Sequence, residues 1–423
     1  MLLSIPAILI GVLSALTLRL LEAIADQLQG VLWTSLPASL GITPDAPWWI
    51  FGVLTATGIA VGVVVWLAPG HAGPDSATTE LAATALPLSV LPGLAVVLIL
   101  SLAGGVSLGP ENPIIAINVS LAIALVARIS RAVPAPLIGA LAISATIGAL
   151  FGTPVAAALV FTGLVGEFKM GGSLWDKLFL PLVAAGAGSV TTFLLGGGFG
   201  SEEPFAPYGS PQAFDLLLGS VIACAAAAFA LIAVFLFPLV HRAFHALRHP
   251  LLYISAGGVV LGLLGVVGGP ITLFKGLDQS AELLADPGDY PPAQLVIILL
   301  VKLAALVVAA SAGFRGGRIF PAVFLGVTAG LLGSALLPGL APSLAVACGV
   351  LGVVIAIARD GWVALFVAVA MVGDVTVLPV LCIVVLPAWL AVTWARPMLI
   401  TTDDLAKERP PAALPWDRPR SAR

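Results

Sequence analysis

Apolar runs follow one another along almost the whole chain, near 2–21, 49–68, 86–106, 113–127, 134–149, 154–166, 179–196, 214–240, 251–274, 293–312, 319–336, 343–358, 361–373 and 376–395. A helix needs about 20 mostly apolar residues to cross a bilayer core. Of 423 residues, 60% are apolar and only 9% charged, whereas a soluble domain carries roughly a quarter charged residues. So little charge cannot cover a water-facing surface. Strands alternating apolar and polar residues are nowhere sustained, so the expected fold class is an all-α polytopic membrane protein.

Several of the runs are too short to span. Interrupted by Gly and Pro, they predict helices that stop partway across and turn, which is tolerated at membrane depth only where the backbone lines an enclosed or wet cavity. That pattern suits a transporter. The formal charge of -3 excludes a strongly basic nucleic-acid binder. Cys224, Cys348 and Cys382 lie in apolar runs without C-x-x-C spacing and read as small core hydrophobes.

The amino-terminal run lacks a basic leader and cleavage site and reads as a retained first helix carrying Arg19, Glu22 and Asp26. Basic residues gather at Arg128 with Arg131, at His241-Arg242 through Arg248, and near Arg396 and Lys407; the positive-inside rule places these in the cytoplasm. Residues 401–423 are polar and proline-rich, the composition of a short disordered cytoplasmic tail.

AGGVSLGPENPIIA in the first half aligns with SAGFRGGRIFPAVF in the second, so that Gly105, Gly109 and Pro113 fall on Gly313, Gly317 and Pro321. Each copy runs from a glycine-rich turn through G-x-x-x-P into an apolar helix. Two halves are expected, 1–200 and 212–400, with a shared site at mid-membrane where the two broken helices meet.

GPENP at 109–113 sets Glu111 at a helix start, where free N–H groups and the helix dipole attract anions. A tethered carboxylate there would occupy an anion site of its own protein, and gate it by leaving when protonated or displaced. An ionisable residue in an apolar membrane run points to function; the plainer reading is a structural cap. GGRIFP at 316–321 offers a second set of N–H groups, with Gly317, Arg318, Ile319 and Phe320 at the turn. Arg318 either attracts anions or snorkels with Arg315 to an interface. GHAGP at 70–74 is a third such turn, and His71 there is either a proton relay or a satisfied interfacial residue.

His241, His245 and His249 at four-residue spacing invite a metal-site reading, but their Arg242 and Arg248 neighbours favour a solvated basic linker. Arg359-Asp360 reads as an internal ion pair.

Taken in order, GHAGP, GPENP, GRIFP at 317–321 and FGTPVAAALVF at 151–161 resemble the chloride channel/transporter (CLC) family, over about residues 60–400. The chain is most similar to a divergent bacterial branch of ion-transport proteins. The resemblance implies two inverted-topology repeats with short, tilted helices, a homodimer with one pathway per subunit, and residence in the bacterial inner membrane with both termini cytoplasmic. It places Glu111 on the family's external gating glutamate and His71, Gly109, Pro110, Asn112, Gly317, Arg318, Ile319 and Phe320 around the anion.

Departures from the pattern are specific. His71 replaces a serine, Pro110 the basic residue before the glutamate, Asn112 the glycine after it, and Ile319 a phenylalanine now shifted to Phe320. Leu399 stands where the family closes its site with tyrosine. Leu164 occupies the internal proton acceptor's place; Glu167, about one turn on, either substitutes or pairs with Lys169 at the surface. H-E-x-x-H does not occur and no Ser or Cys has an obvious general base nearby in sequence, so no enzyme is expected. The reading is transport of a small monovalent anion, chloride by default, in exchange for protons or as a passive channel, with no cofactor and no metal.

Overall fold

A computed structural model describes residues 4–79, 85–129, 133–152, 173–199, 208–337, 339–401 and 404. Among these the ordered elements are helical, and nine helices are long and apolar enough to cross a membrane. The chain is a multi-pass membrane protein with the helical architecture its apolar runs predict.

The first span, Ser4–Leu40, is α1 (Ser4–Gly30) prolonged through a π-turn, and at 37 residues it reaches about 55 Å at 1.5 Å per residue, more than a bilayer core. Helix α2 (Pro47–Leu67) returns, and its amino-terminal end is tied to the π-turn after α1, where the Trp49 ring N–H donates to Leu32 O (3.1 Å). The next helix, α3 (Leu91–Ala103), has 13 residues, about 20 Å, and cannot cross alone. It stops at Gly104 and Gly105 (φ 87°), and the chain restarts as α4 (Glu111–Ile129).

Helices α5 (Ala135–Phe151) and α6 (Leu174–Leu194) follow, then α7 (Ala213–His245) and α8 (Pro250–Gly268). A short α9 (Leu277–Ala285) leads to α10 (Pro292–Ser311), which halts at Gly313 (φ 81°) before α11 (Ile319–Leu336) begins. The order thus repeats the broken pair α3–α4 as α10–α11. Helices α12 (Pro342–Ala358), α13 (Gly361–Val372) and α14 (Leu378–Val392) complete the chain.

In lipid, exposed apolar surface gives helices little reason to associate, so close backbone approach at small residues supplies the packing. Where α2 crosses α8, a Cβ built on Gly58 would lie 2.7 Å from the Gly258 Cα. At α11 and α12, one built on Gly326 would lie 2.3 Å from the Val350 Cα. The second contact fixes the helix whose first turn forms the candidate site.

Four expectations are corrected. His241 is 1% exposed and His245 ends α7 packed on neighbouring rings, so the histidines are not a solvated linker. His249 is separate from them, accepting the Leu251 N–H on Nδ1 as the cap of α8. Arg359 and Asp360 do not pair: the guanidinium donates to the Val392 and Thr393 carbonyls, while the carboxylate caps α13 through Trp362 and Val363 N–H. Arg315 does not snorkel; it is buried and donates to the Gly73, His71 and Gly313 carbonyls. Of the cysteines, only Cys348 is buried, and Cys382 is exposed on the apolar flank. Each polar group found partners across the sequence that local spacing does not reveal.

Gly258→Val should force α2 and α8 apart, destabilising the fold by about 1–3 kcal/mol as overpacking does. The measurement is the melting temperature in detergent, and an unchanged value would contradict this close crossing.

Candidate functional site

The two interrupted helices meet at their turns. Gly109 N–H donates to Gly317 O (2.9 Å) and Gly317 N–H to Gly109 O (2.7 Å), an antiparallel bridge between two otherwise helical regions. Backbone leaving a helix inside a membrane must find partners within the protein, and here each turn supplies the other's.

Across this bridge Glu111, at the first turn of α4 and 0% exposed, sends its carboxylate to the start of α11. Oε1 accepts the Ile319 N–H (3.0 Å) and the Phe320 N–H (2.9 Å). The Glu111–Ile319 separation is 208 positions, the offset of the sequence repeat. Helix α11 thus receives a carboxylate where its unsatisfied N–H groups and positive dipole end favour an anion.

Oε2 has no hydrogen-bond partner among the described residues. It lies over both glycines of the bridge: a Cβ on Gly109 or on Gly317 would fall 2.1 Å from it. Only a residue without a side chain leaves space for the carboxylate there. Burying a carboxylate oxygen without a donor costs several kcal/mol, so the seat holds Glu111 by one oxygen and strains against the other.

Phe320 walls the seat. Its ring stacks on Phe151 (5.7 Å between centroids) and meets Phe199 edge-on (5.6 Å). Beyond it opens a vestibule of about 490 Å³, lined by Glu22, Asp26, Asp278, Arg19 and Lys275 among others. Lys275 Nζ lies 5.7 Å from the Phe320 centroid and 3.1 Å from Glu22 Oε1. Burial alone would lower the Lys275 pKa, but Glu22, with Asp278 and Asp26, more than offsets this and holds it above the usual lysine range. Lys275 is fixed next to the broken helix because the Phe274 N–H donates to Gly105 O (3.0 Å).

On the other side of the seat lies a cavity of about 10 Å³ lined by Pro74, Ser76, Thr79, Asn112, Arg315 and Gly316 among others. Asn112 Nδ2 and Arg318 Nη2 both donate to Thr79 O, at 3.5 and 2.9 Å. Pro110 contributes its carbonyl, which accepts the Ile114 N–H (3.0 Å) of the new helix. Ser76 Oγ donates to Gly316 O (2.8 Å). The Ile400 N–H donates to Ala77 O (2.9 Å), which brings the segment after α14 against this side, with Leu399 beside it.

Of the residues singled out in the sequence, the fold therefore gathers Gly109, Glu111, Gly317, Ile319 and Phe320 into one seat. Pro110, Asn112 and Arg318 frame it. His71 contributes differently: its ring Nδ1 lies 3.4 Å from Val65 O, and its carbonyl accepts from Arg315. Glu167, with Lys169 and the stretch from Thr153 to Phe161, lies outside the described residues. Lys275, Phe199 and Ser76 escaped sequence reasoning, and Phe151 entered it only as the first residue of FGTPVAAALVF. For Lys275 a signal existed, an isolated ammonium closing an apolar run.

Comparison with known proteins finds relatives along nearly the whole chain. The family model described as voltage gated chloride channel matches residues 51–392. Curated relatives from Escherichia coli O9:H4 (strain HS) and Escherichia coli (strain K12 / DH10B), each named "Putative ion-transport protein YfeO", are 48% identical over 412 residues, covering 97% of this chain and 97% of theirs. Among solved structures, a slow cyanobacterial Cl−/H+ antiporter is similar with TM-score 0.74 at 17% identity, covering 93% of this chain and 95% of that one. A CLC-type fluoride/proton antiporter is similar with TM-score 0.70 at 21% identity, covering 92% and 95%.

Gly317→Ala should expel the Glu111 carboxylate from the α11 terminus, because the added methyl and Oε2 cannot share the space. A structure of the variant with Glu111 still bonded to Ile319 and Phe320 N–H would refute this account of the seat.

Proposed function

The chain belongs to the voltage-gated chloride channel family, and from that premise we propose that it exchanges a small monovalent anion, chloride by default, for protons, with Glu111 as the moving gate. The observation that carries the reading is the Glu111 carboxylate bonded to the Ile319 and Phe320 N–H groups, where a transported anion would bind. A carboxylate in that place is a tethered competitor of the substrate.

The steps follow from the contacts. A proton reaching Oε2 from the vestibule neutralises the oxygen that has no donor, and weakens the charge-assisted bonds to Oε1. The side chain then swings toward the vestibule, and the freed N–H groups accept the anion. Deprotonation and return of Glu111 drive the anion onward past Ser76, Thr79 and Asn112. Lys275 raises the local anion concentration at the vestibule, while Glu22 and Asp26 offer proton acceptors near it. Glu167 is the candidate acceptor for the inner leg of the proton's route, and His71 a second.

Family membership carries the remaining parts of the proposal. The protein works as a homodimer with one pathway per subunit, in the bacterial inner membrane with both termini cytoplasmic, and each chain carries two inverted halves, 1–200 and 212–400. The named substrates of the similar antiporters make chloride and fluoride the anions to try first.

Proteoliposomes loaded with chloride, fluoride or nitrate test the proposal when ion and proton movement are followed together. Anion efflux should drive protons inward, and Glu111→Ala should abolish the proton movement while leaving anion flux. Anion flux without protons in the unmodified protein would replace exchange by a passive channel, and no flux of any anion would end the reading.

Lys275→Met should lower the initial anion flux about 10-fold at low salt and much less at high salt, as a screened attraction requires. A loss independent of ionic strength would assign Lys275 a structural role instead.

A further inference from the structure

The carboxyl end of α7 carries a cluster of groups that the anion pathway does not use. Asp75, His241 and His245 each offer one ligand atom, and these three atoms lie within 4.8 Å of one another. The cluster sits far from the vestibule: the amino-terminal end of α2 is tied to Leu32, and its 21 residues carry the chain about 30 Å before Asp75.

Hydrogen bonding defines the protons at His245. Its Nδ1 is 3.1 Å from the His241 carbonyl, which can only accept, so Nδ1 carries hydrogen. In the neutral ring Nε2 then presents a lone pair, and it lies 3.5 Å from Asp75 Oδ2, itself an acceptor. Either a proton on Nε2, as in an imidazolium–carboxylate pair, or a metal ion in its place satisfies this contact. The carboxylate is also oriented, because Oδ1 accepts the Ala77 N–H (3.0 Å).

The two imidazoles are stacked 3.8 Å apart, with the Tyr253 ring 4.5 Å from His245 on the next layer. A histidine four residues before another on a helix, joined by a carboxylate, is the donor set of a three-protein-ligand site with an open position. A backbone carbonyl holding the remote nitrogen of a ligating histidine is its usual support. The end of a helix further favours a cation.

We propose that Asp75, His241 and His245 bind a divalent transition-metal ion of the zinc class. Tetrahedral ligands about 2.0–2.1 Å from zinc lie about 3.4 Å apart. The His245–Asp75 pair already has that spacing, and His241 would join it by turning its ring out of the stack with His245. Nitrogen-rich ligation selects zinc, copper or nickel over magnesium and calcium.

The ion would tie α7 to the segment that supports the seat. Ser76 follows Asp75 and bonds Gly316 O, while Arg315 holds the His71 and Gly73 carbonyls. Gly316 precedes Gly317, so metal occupancy restrains the turn against which Glu111 rests.

Zinc chloride titrated calorimetrically into the chelator-stripped full chain in detergent should show one ion bound per chain. His245→Gln and Asp75→Asn should each weaken binding at least 10-fold, and the zinc absorption edge should show nitrogen and oxygen neighbours at about 2.0–2.1 Å. Absence of stoichiometric zinc binding by the unmodified chain overturns the proposal, as does equal affinity in variants that melt like it. If a variant fails to fold, the absorption spectrum of the unmodified chain decides: sulfur-only or water-only ligation refutes the site. Because binding is the readout, the result is independent of whether the chain exchanges anions for protons.

Discussion

Two hydrogen bonds between Gly109 and Gly317 make the rest of the site possible. Helices that stop within a bilayer expose N–H and C=O groups that lipid cannot satisfy. By pairing the two turns, the protein holds α4 and α11 with their first residues facing one point. Neither turn has this partner by itself, so neither broken helix is a stable arrangement without the other. The side-chain-free glycines that permit the pairing also leave the volume that Oε2 occupies.

Charge inside this apolar protein follows from that arrangement. The carboxylate of Glu111 is balanced not by a neighbouring base but by two N–H groups of another helix. Lys275 stands one aromatic layer away, held to Glu22. Lys302, fully buried, is instead enclosed by the Thr272, Leu273 and Phe274 carbonyls at 3.0, 3.0 and 2.8 Å. Those carbonyls belong to the turn that delivers Lys275, so the buried ammonium secures the vestibule wall without facing the pathway. Arg315 serves the same purpose on the other side, satisfying carbonyls of two separate turns.

The misread residues share one physical cause. Arg359 and Asp360 are adjacent, and adjacency suggested a pair; the helix end between them points the guanidinium to Val392 and the carboxylate to N–H groups of α13. His241 and His245 lie among basic residues that look solvated, yet the helix turns them onto Asp75, more than 160 positions earlier, and onto Tyr253. Local spacing gives the direction of a side chain on its own element. It cannot say what another element places there.

The membrane fold, the helical class, the two interrupted helices and the carboxylate at their junction were determined by the sequence alone, because each rests on a local pattern: apolar length, Gly and Pro at breaks, an isolated charge. The constant offset between GPENP and GRIFP even identified which turns correspond. Tertiary structure alone decided that Gly109 pairs with Gly317, that Glu111 reaches Ile319 and Phe320, and that Lys275 stands behind the aromatic wall. These contacts join positions from 45 to 209 residues apart. They depend on helix crossings set by close packing over the whole bundle, and no local pattern encodes that geometry.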